Sequence, residues 1–333
     1  MKLILFSGHH FERDPFIESN KAYGHDLQFL DVSLNKDTAK LAEGHDCVAA
    51  FTTDKLDAEC LALLAGYGVK LIALRSAGFN HVDLEAAHRL KLQVVRVPQY
   101  SPYSVAEYAV GLMLTLNRKL HKSYNRVKEL NFSLEGLVGF DMHGKTVGVI
   151  GTGRIGSVLA EILSGFGCKV IAYDPVPSTD LVKRLKVSYV PQAEVFKSSD
   201  IISLHVPLSP KTRHLIDEGA LLSMKKGVML INTGRGGLID AHALIEALKS
   251  GHLGSAGLDV YEEEEGVFFE DHSLDLIQDD ILARLLTFPN VFLSSHQGFL
   301  TKEALHNIAK TTLENASDFE KGRPLQNLVV PLV

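Results

Sequence analysis

The stretch from Lys145 to Asp174 constrains this chain more than any other. It reads KTVGVIGTGRIG and, eighteen residues past the last glycine, YDP. A short apolar run, Thr146 to Ile150, leads into Gly151, Gly153 and Gly156; a helical pattern follows from Ser157 to Phe166, then a second apolar run ends at Asp174. The order is strand, glycine turn, helix, strand, acid. Gly151 permits the tight turn, Gly153 lets the backbone approach a pyrophosphate, and Gly156 lets the helix lie close to the sheet. The helix N-terminus offers unpaired N–H groups and a positive dipole end to phosphates. Asp174, near the usual spacing of roughly 20 residues, is placed to accept hydrogen bonds from ribose hydroxyls. A glycine turn serving packing alone is the competing explanation, and the acid at the right distance argues against it.

At 333 residues, two domains are the natural expectation. The 46% apolar content supplies cores. The net charge of −6 argues against nucleic-acid or membrane surfaces, which need a basic field. Cys47, Cys60 and Cys168 form no CxxC pair, which fits a reducing compartment and no cysteine-rich metal site. The first residues read as a strand and are too short an apolar run for a signal peptide. No segment approaches the roughly 20 apolar residues of a membrane span. The cytoplasm is the expected location.

Strand-like runs recur at Leu3–Phe6, Cys47–Phe51, Leu71–Leu74 and Leu92–Val95, then at Val147–Ile150, Val170–Tyr173, Ile201–Leu204, Val228–Ile231, Ser255–Leu258 and Val291–Ser294. Helical patterns lie between them, so the fold class is α/β with parallel sheets covered on both faces. The fingerprint sits mid-chain, so about a hundred residues form something of their own before it. Ser101 to Lys122 reads as one long helix with Ser101 as N-cap and Pro102 in the first turn, of a length suited to linking two domains. A second long helix is expected over Thr301–Lys321, and the tail GRPLQNLVVPLV could return to the first domain.

Three late strand ends carry conspicuous polar residues. In LINTGRGGLID, Arg235 sits between glycines on a strand-to-helix loop, where ligands of open α/β sheets bind, and Asp240 reads as a helix N-cap. The Arg235 fork could hold a carboxylate through two parallel bonds, or could be an exposed loop arginine. In GLDVYEEEEG, Asp259 follows a strand and four glutamates run from Glu262 to Glu265; for three of the four a solvated face is the simple reading. In FLSSHQGFL, His296 follows a strand directly; one histidine among fifteen carries little alone. Together they offer a cation for an anionic substrate, a proton donor and a carboxylate to tune it. His9 and His10 read as a surface pair, and no metal is expected.

These three segments resemble the signature of the NAD-dependent D-2-hydroxyacid dehydrogenases, and the resemblance covers essentially the whole chain. RSAGFNHVDLEAA, NFSLEGLVGFDMHGKTVGVIGTGRIG, FFEDHSLDLIQDD and HQGFLTKEAL narrow it to the bacterial fermentative D-lactate dehydrogenases. The resemblance implies that Arg235 binds the carboxylate of a 2-oxo acid and polarises its carbonyl. It implies that His296 is general acid in reduction and base in oxidation. Glu264, five after Asp259, would hold the imidazole protonated and oriented; a register error of one would pick Glu263 or Glu265 instead. Asp259 would lie near the cofactor and help position Arg235. The loop RSAGFN would supply the Ala77 and Gly78 N–H groups to the substrate carboxylate, although SAG could equally be a tight turn. Tyr100, Phe299 and Phe51 look like pocket residues near a short substrate side chain; buried aromatics are also usually core. For NAD, Arg154 and Ile155 complete the fingerprint turn, His205, Val206 and Pro207 would flank the adenine and adjoining ribose, and Thr212 and Thr233 lie beyond. Asp174 favours NAD over NADP, since its carboxylate would repel a 2′-phosphate.

The implied fold is two doubly wound parallel-sheet domains. A Rossmann dinucleotide domain, 101–299, is inserted into a flavodoxin-like substrate domain, 1–100 and 300–333, with the site expected in the cleft between them. The implied function is NAD-linked interconversion of pyruvate and D-lactate in a homo-oligomer, expected to be a tetramer. The rivals are a dehydrogenase for bulkier 2-oxo acids and a dinucleotide-sensing binding protein of the corepressor type.

Overall fold

The computed structural model describes residues 1–331. The chain separates into two compact units, Met1–Ser101 together with the stretch from Leu300 onward, and Pro102–Phe299.

The first unit holds five parallel strands: β1 (Lys2–Leu5), β2 (Asp26–Phe29), β3 (Cys47–Ala50), β4 (Leu71–Leu74) and β5 (Gln93–Val95). Their order is β2-β1-β3-β4-β5, the flavodoxin-like arrangement. Because side chains alternate across a strand, one chain segment feeds two cores. Ile4, Val48, Ile72 and Val94 face one layer with Leu61 and Leu64. Leu3, Leu5, Cys47, Ala49, Leu71 and Ala73 face the other, which is covered by Phe16 and by Leu313 and Ala316 of the helix Lys302–Glu320. Thr301 caps that helix by accepting from the Ala304 N–H. The tail does return to this unit: Val329 N–H donates to Val94 C=O at 2.8 Å and Arg96 N–H to Asn327 C=O at 3.1 Å. Strand β2, an edge strand with every second residue exposed, has no counterpart among the strands expected from the sequence.

The second unit holds seven parallel strands: β6 (Thr146–Ile150), β7 (Lys169–Tyr173), β8 (Ser188–Tyr189), β9 (Ile201–Leu204), β10 (Val228–Asn232), β11 (Leu253–Leu258) and β12 (Val291–Leu293). Their order is β12-β11-β10-β9-β6-β7-β8. Counted from β6, this is the Rossmann order with one strand added at the edge, and the order reverses between β6 and β9. Ligands of open α/β sheets bind at that switch point, outside the carboxyl ends of the strands.

The long helix expected over 101–122 stops at Arg118. Lys119 takes a left-handed conformation, φ +51°, and a second helix runs from Leu120 to Lys128. No glycine or proline marks this break. It is held by the returning segment: the Asn117 side chain accepts from Phe140 N–H and donates to Phe140 C=O, at 2.8 and 2.7 Å. Lys119 Nζ donates to Val138 C=O as well. The helix Pro102–Arg118 packs within the second unit, against the helix Arg154–Gly165 and the sheet beneath it.

Candidate active site

The fingerprint builds the first part of the site. Gly151 sits at φ +90°, where an added Cβ would lie 2.6 Å from the His205 carbonyl oxygen. A Cβ on Gly156 would lie 2.0 Å from the Gly151 oxygen, so this glycine is what brings helix and turn together. Gly153, by contrast, has open space where its Cβ would be. It is the N-cap of the helix Arg154–Gly165, with no side chain capping it. The first-turn N–H groups of such a helix have no partner within it, and Arg154 and Ile155 provide two of them. Asp174, at the end of β7, is aimed at the same turn: Oδ2 accepts from Thr152 N–H at 2.7 Å and Oδ1 from Val176 N–H at 2.8 Å. Each carboxylate oxygen keeps a lone pair for a further donor. Tyr189, unremarked in the sequence, buttresses the turn, its hydroxyl 2.7 Å from Thr152 Oγ1 and accepting from Ser178 N–H at 3.0 Å.

His205 leaves β9 beside the glycine turn. Its N–H donates to Ile150 C=O at 2.7 Å and its Nε2 lies 2.8 Å from Ser203 Oγ. Burial pushes its pKa down to about 4, so the ring is neutral near pH 7. Val206 follows, its methyl close to Gly151. Thr212 acts locally, its hydroxyl donating to Pro207 C=O and accepting from Ser209 N–H, which closes the loop after β9. Thr233, at the end of β10, is 7% exposed, and its Oγ1 is buried with no hydrogen-bond partner among the described residues. A buried hydroxyl left without a partner is costly in a finished core and natural in a ligand site. The open Gly153, the uncapped helix start, Asp174 and Thr233 therefore fit a dinucleotide.

Arg235 follows on the next loop. Its backbone is extended, and its Nη1 donates to Gly234 C=O at 2.7 Å. Asn232, fully buried, fixes the loop from inside: Oδ1 accepts from Gly234 N–H and Nδ2 donates to Arg235 C=O, at 3.0 and 2.9 Å. Gly236 touches the Tyr261 backbone, where a Cβ would lie 1.9 Å from the carbonyl carbon. The Arg235 loop and the loop after β11 thus rest directly on one another. Asp240 caps the helix Ala241–Lys249, accepting from His242 and Ala243 N–H groups.

The loops after β11 and β12 bring a carboxylate and an imidazole together. Glu264 Oε2 lies 2.7 Å from His296 Nδ1, and its Oε1 accepts from Tyr261 N–H at 2.9 Å. Glu263 and Glu265 are exposed. Glu262 departs from the solvated-face reading: it is partly buried, with His214 Nε2 at 3.1 Å and Arg213 Nη2 at 2.7 Å. Phe269 and Phe299 flank the His296 ring, with centroids 6.0 and 6.5 Å away. Phe269 is not among the residues that the sequence singles out; the apolar pair inside the acidic stretch VFFED is its only signal.

Asp259 binds the turn that carries His296. Oδ1 accepts from the Ser294 hydroxyl and Gln297 N–H, both at 2.8 Å, and Oδ2 from Gly298 N–H at 2.7 Å. Its carbonyl accepts from His296 N–H at 2.7 Å. These bonds stabilise a turn in which His296 stands at φ +49°, a region that non-glycine residues seldom enter. Burial pushes the Asp259 carboxyl up, and the Ser294 and backbone donors oppose it. The tie to the Arg235 loop runs through the backbone, Asp259 N–H to Asn232 C=O at 2.9 Å. So Asp259 shapes the turn that aims the histidine.

The remaining candidates lie in the first unit. The Ala77 carbonyl accepts from Arg96 Nη1 at 2.9 Å and the Gly78 carbonyl from Ser76 Oγ at 2.7 Å. The Tyr100 carbonyl accepts from Asn307 Nδ2 at 2.6 Å. Phe51 is 3% exposed. His9 is no surface histidine: its ring meets Phe51 edge-on at 4.9 Å.

Comparison with known proteins gives the family. Residues 110–298 match the family model of the D-isomer specific 2-hydroxyacid dehydrogenase NAD-binding domain. The chain is 50% identical over 330 residues to the D-lactate dehydrogenase of Escherichia coli, covering 99% of this chain and all of that one. It is 52% identical to a 2-hydroxyacid dehydrogenase homolog of Zymomonas mobilis, over 99% of this chain and all of the relative. Among solved structures, the apo D-lactate dehydrogenase of Escherichia coli superposes with a TM-score of 0.90 at 48% identity, over 99% and 100% of the two chains. The NAD+ complex of the Lactobacillus jensenii D-lactate dehydrogenase does so with 0.81 at 32% identity, over 99% and 100%.

Proposed function

This chain belongs to the D-isomer specific 2-hydroxyacid dehydrogenases, NAD-dependent oxidoreductases, and from that premise we propose that it reduces pyruvate to D-lactate. The Gly151–Gly156 turn and Asp174 would hold the dinucleotide, which as NADH would supply the hydride for C2 of the substrate and as NAD+ would accept it in oxidation. Arg235 binds the substrate carboxylate with its fork and favours the negative charge that builds on the carbonyl oxygen. With Nδ1 of His296 engaged by Glu264, Nε2 is the nitrogen left to give its proton to that oxygen; in oxidation it takes the proton from the hydroxyl. Hydride at C2 and proton on oxygen complete the alcohol. Ala77 and Gly78 N–H groups assist with the carboxylate, and Tyr100, Phe299 and Phe51 wall the methyl group. His205, Val206, Pro207, Thr212 and Thr233 line the cofactor.

The observation that carries this reading is the Glu264–His296 pair on a turn braced by Asp259, in the same unit as a dinucleotide turn. The presence of Arg235, Glu264 and His296 together weighs against a sensing protein of the corepressor type. NADH oxidation with pyruvate against 4-methyl-2-oxopentanoate, with chiral analysis of the product, tests it. Turnover of pyruvate to the D-isomer is expected; preference for the bulkier acid, or no turnover, would overturn it.

The same reading extends to a cytoplasmic homotetramer. Leu130, Leu134 and Val138, beyond the helix Leu120–Lys128, are 78%, 79% and 83% exposed, which favours a face covered by another copy. Among the described residues, no helix is long and apolar enough to cross a membrane.

A further inference from the structure

Beneath Phe51 lies a buried charge cluster that the reaction does not use. The Arg75 side chain, at the end of β4, is 0% exposed, and the helix His10–Asn20 brings Glu12, 2% exposed, to 2.5 Å from its Nη1. Nη2 donates to the carbonyls of Phe6 and Ser7. The guanidinium carbon stands 5.1 Å from the centre of the Phe51 ring. Asp54, 1% exposed, accepts from Phe51 N–H at 2.6 Å, from Leu34 N–H at 2.8 Å and from the Ser7 hydroxyl at 2.7 Å. Burial pushes the Glu12 and Asp54 carboxyls up while Arg75 opposes it.

Such a cluster is a poor way to gain stability. Removing an arginine and two acids from water is costly, and an apolar replacement of similar volume is often as stable or more so. What it does supply is orientation. A phenyl ring in an ordinary core is held only by packing. Phe51 is held at its backbone N–H by Asp54, on one ring face by a guanidinium, and at an edge contact by His9. Arg75 is in turn fixed by a carboxylate and two main-chain carbonyls, so the ring sits on a rigid base.

We infer that Arg75 is a positioning residue for substrate size: it fixes Phe51 as a wall that admits a methyl group and resists longer 2-oxo acid side chains. This rests on the proposal that Phe51 faces the substrate side chain, and the test separates the two. The quantity to measure is kcat/KM for 4-methyl-2-oxopentanoate divided by kcat/KM for pyruvate. Loss of folded enzyme scales both terms equally and leaves the ratio alone, so a merely structural role would not move it. The variants are Phe51→Ala, the pair Arg75→Met with Glu12→Gln, which removes both charges at similar volume, and the three changes combined. If a loosened wall accommodates even one or two methylenes, the ratio should rise on the order of tenfold in Phe51→Ala and in the paired variant. The triple variant should exceed Phe51→Ala by no more than about twofold, because both changes act on one ring.

A paired variant within about twofold of wild type, alongside a raised Phe51→Ala, would overturn the role of Arg75. Fully additive shifts would overturn it too, since the effect would then bypass Phe51. An unchanged ratio in Phe51→Ala would remove the wall itself, and the proposal with it. Should the paired variant not fold, Arg75→Lys keeps a positive charge beside Glu12 without the fork that holds the two carbonyls. It should raise the ratio in the same direction, and an unchanged ratio there overturns the proposal.

Discussion

Glu264 Oε2 meets His296 Nδ1 at 2.7 Å, while the other oxygen of Glu264 is tied to the Tyr261 N–H. The carboxylate is anchored to its own loop before it reaches the ring. It sets the ring's orientation and, in the proposed reaction, leaves Nε2 for the substrate. Glu264→Gln preserves the shape and one hydrogen bond but removes the negative charge beside the ring. It should lower kcat for pyruvate reduction by about 10–100-fold, less than the roughly 10²–10⁴-fold of losing a general acid outright, because His296 itself remains. Glu263→Gln and Glu265→Gln, on exposed side chains, should stay within about twofold. Steady-state kinetics of the three variants decides, and equal losses in all three would contradict the pairing.

Arg235 is proposed to work by geometry as well as charge. Arg235→Lys keeps the charge without the fork, so it should raise the KM for pyruvate and also lower kcat, since misorientation harms the transition state beyond the ground state. Arg235→Gln should be worse on both counts. NADH affinity, followed by nicotinamide fluorescence, should change little in either. Wild-type kinetics from Arg235→Gln would remove the active-site assignment.

Asp174 is held at the glycine turn by Thr152 and Val176 N–H groups. Asp174→Ala should weaken NADH binding by roughly tenfold, as expected for losing hydrogen bonds to a charged acceptor. It should also narrow the preference for NADH over NADPH, because the repulsion of a 2′-phosphate goes with the same carboxylate. An unchanged ratio of the two dissociation constants would exclude this role.

How much of the fold and the site is legible in the chain depends on where the information lies. The fingerprint, Arg235, Glu264 and His296 are legible because each sits at or just past a strand end, where an apolar run breaks into glycine and charge. Strands β2 and β8 are not: Asp26–Phe29 is an edge strand with two apolar residues, and Ser188–Tyr189 has only two residues in all. The break at Lys119 carries no glycine or proline, because it is held by Asn117 pairing with Phe140, twenty-three residues on. Asp259 stands out in the sequence, but its role does not, since spacing along the chain does not reveal which N–H groups a carboxylate will meet. The Arg75 cluster draws Glu12, Asp54 and Phe51 from separate segments and has no local signature.

His205 gives a pH test independent of catalysis. Its pKa is pushed from 6.5 to about 4 by burial, so the unfolded chain takes up this proton more readily than the folded one. Its contribution to stability is full above about pH 6.5 and is lost as pH falls toward about 4. His205→Gln, which cannot titrate, should show a shallower decline of Tm between those values than the wild-type protein. Parallel Tm profiles would mean that the ring is solvated in the folded protein.

The helix Lys302–Glu320 has a consequence for the order of events during synthesis. It covers the face of the first sheet formed by Leu3, Leu5, Ala49, Leu71 and Ala73, yet it is made only after the whole second unit. The second unit, 102–299, is a continuous stretch and can fold as it leaves the ribosome, whereas the first waits with that apolar face partly open until the helix Lys302–Glu320 arrives. The strands of the first sheet are therefore sealed on that face only after the whole second unit has been made, and a nascent chain stalled before residue 302 presents the face only partly covered, by Phe16.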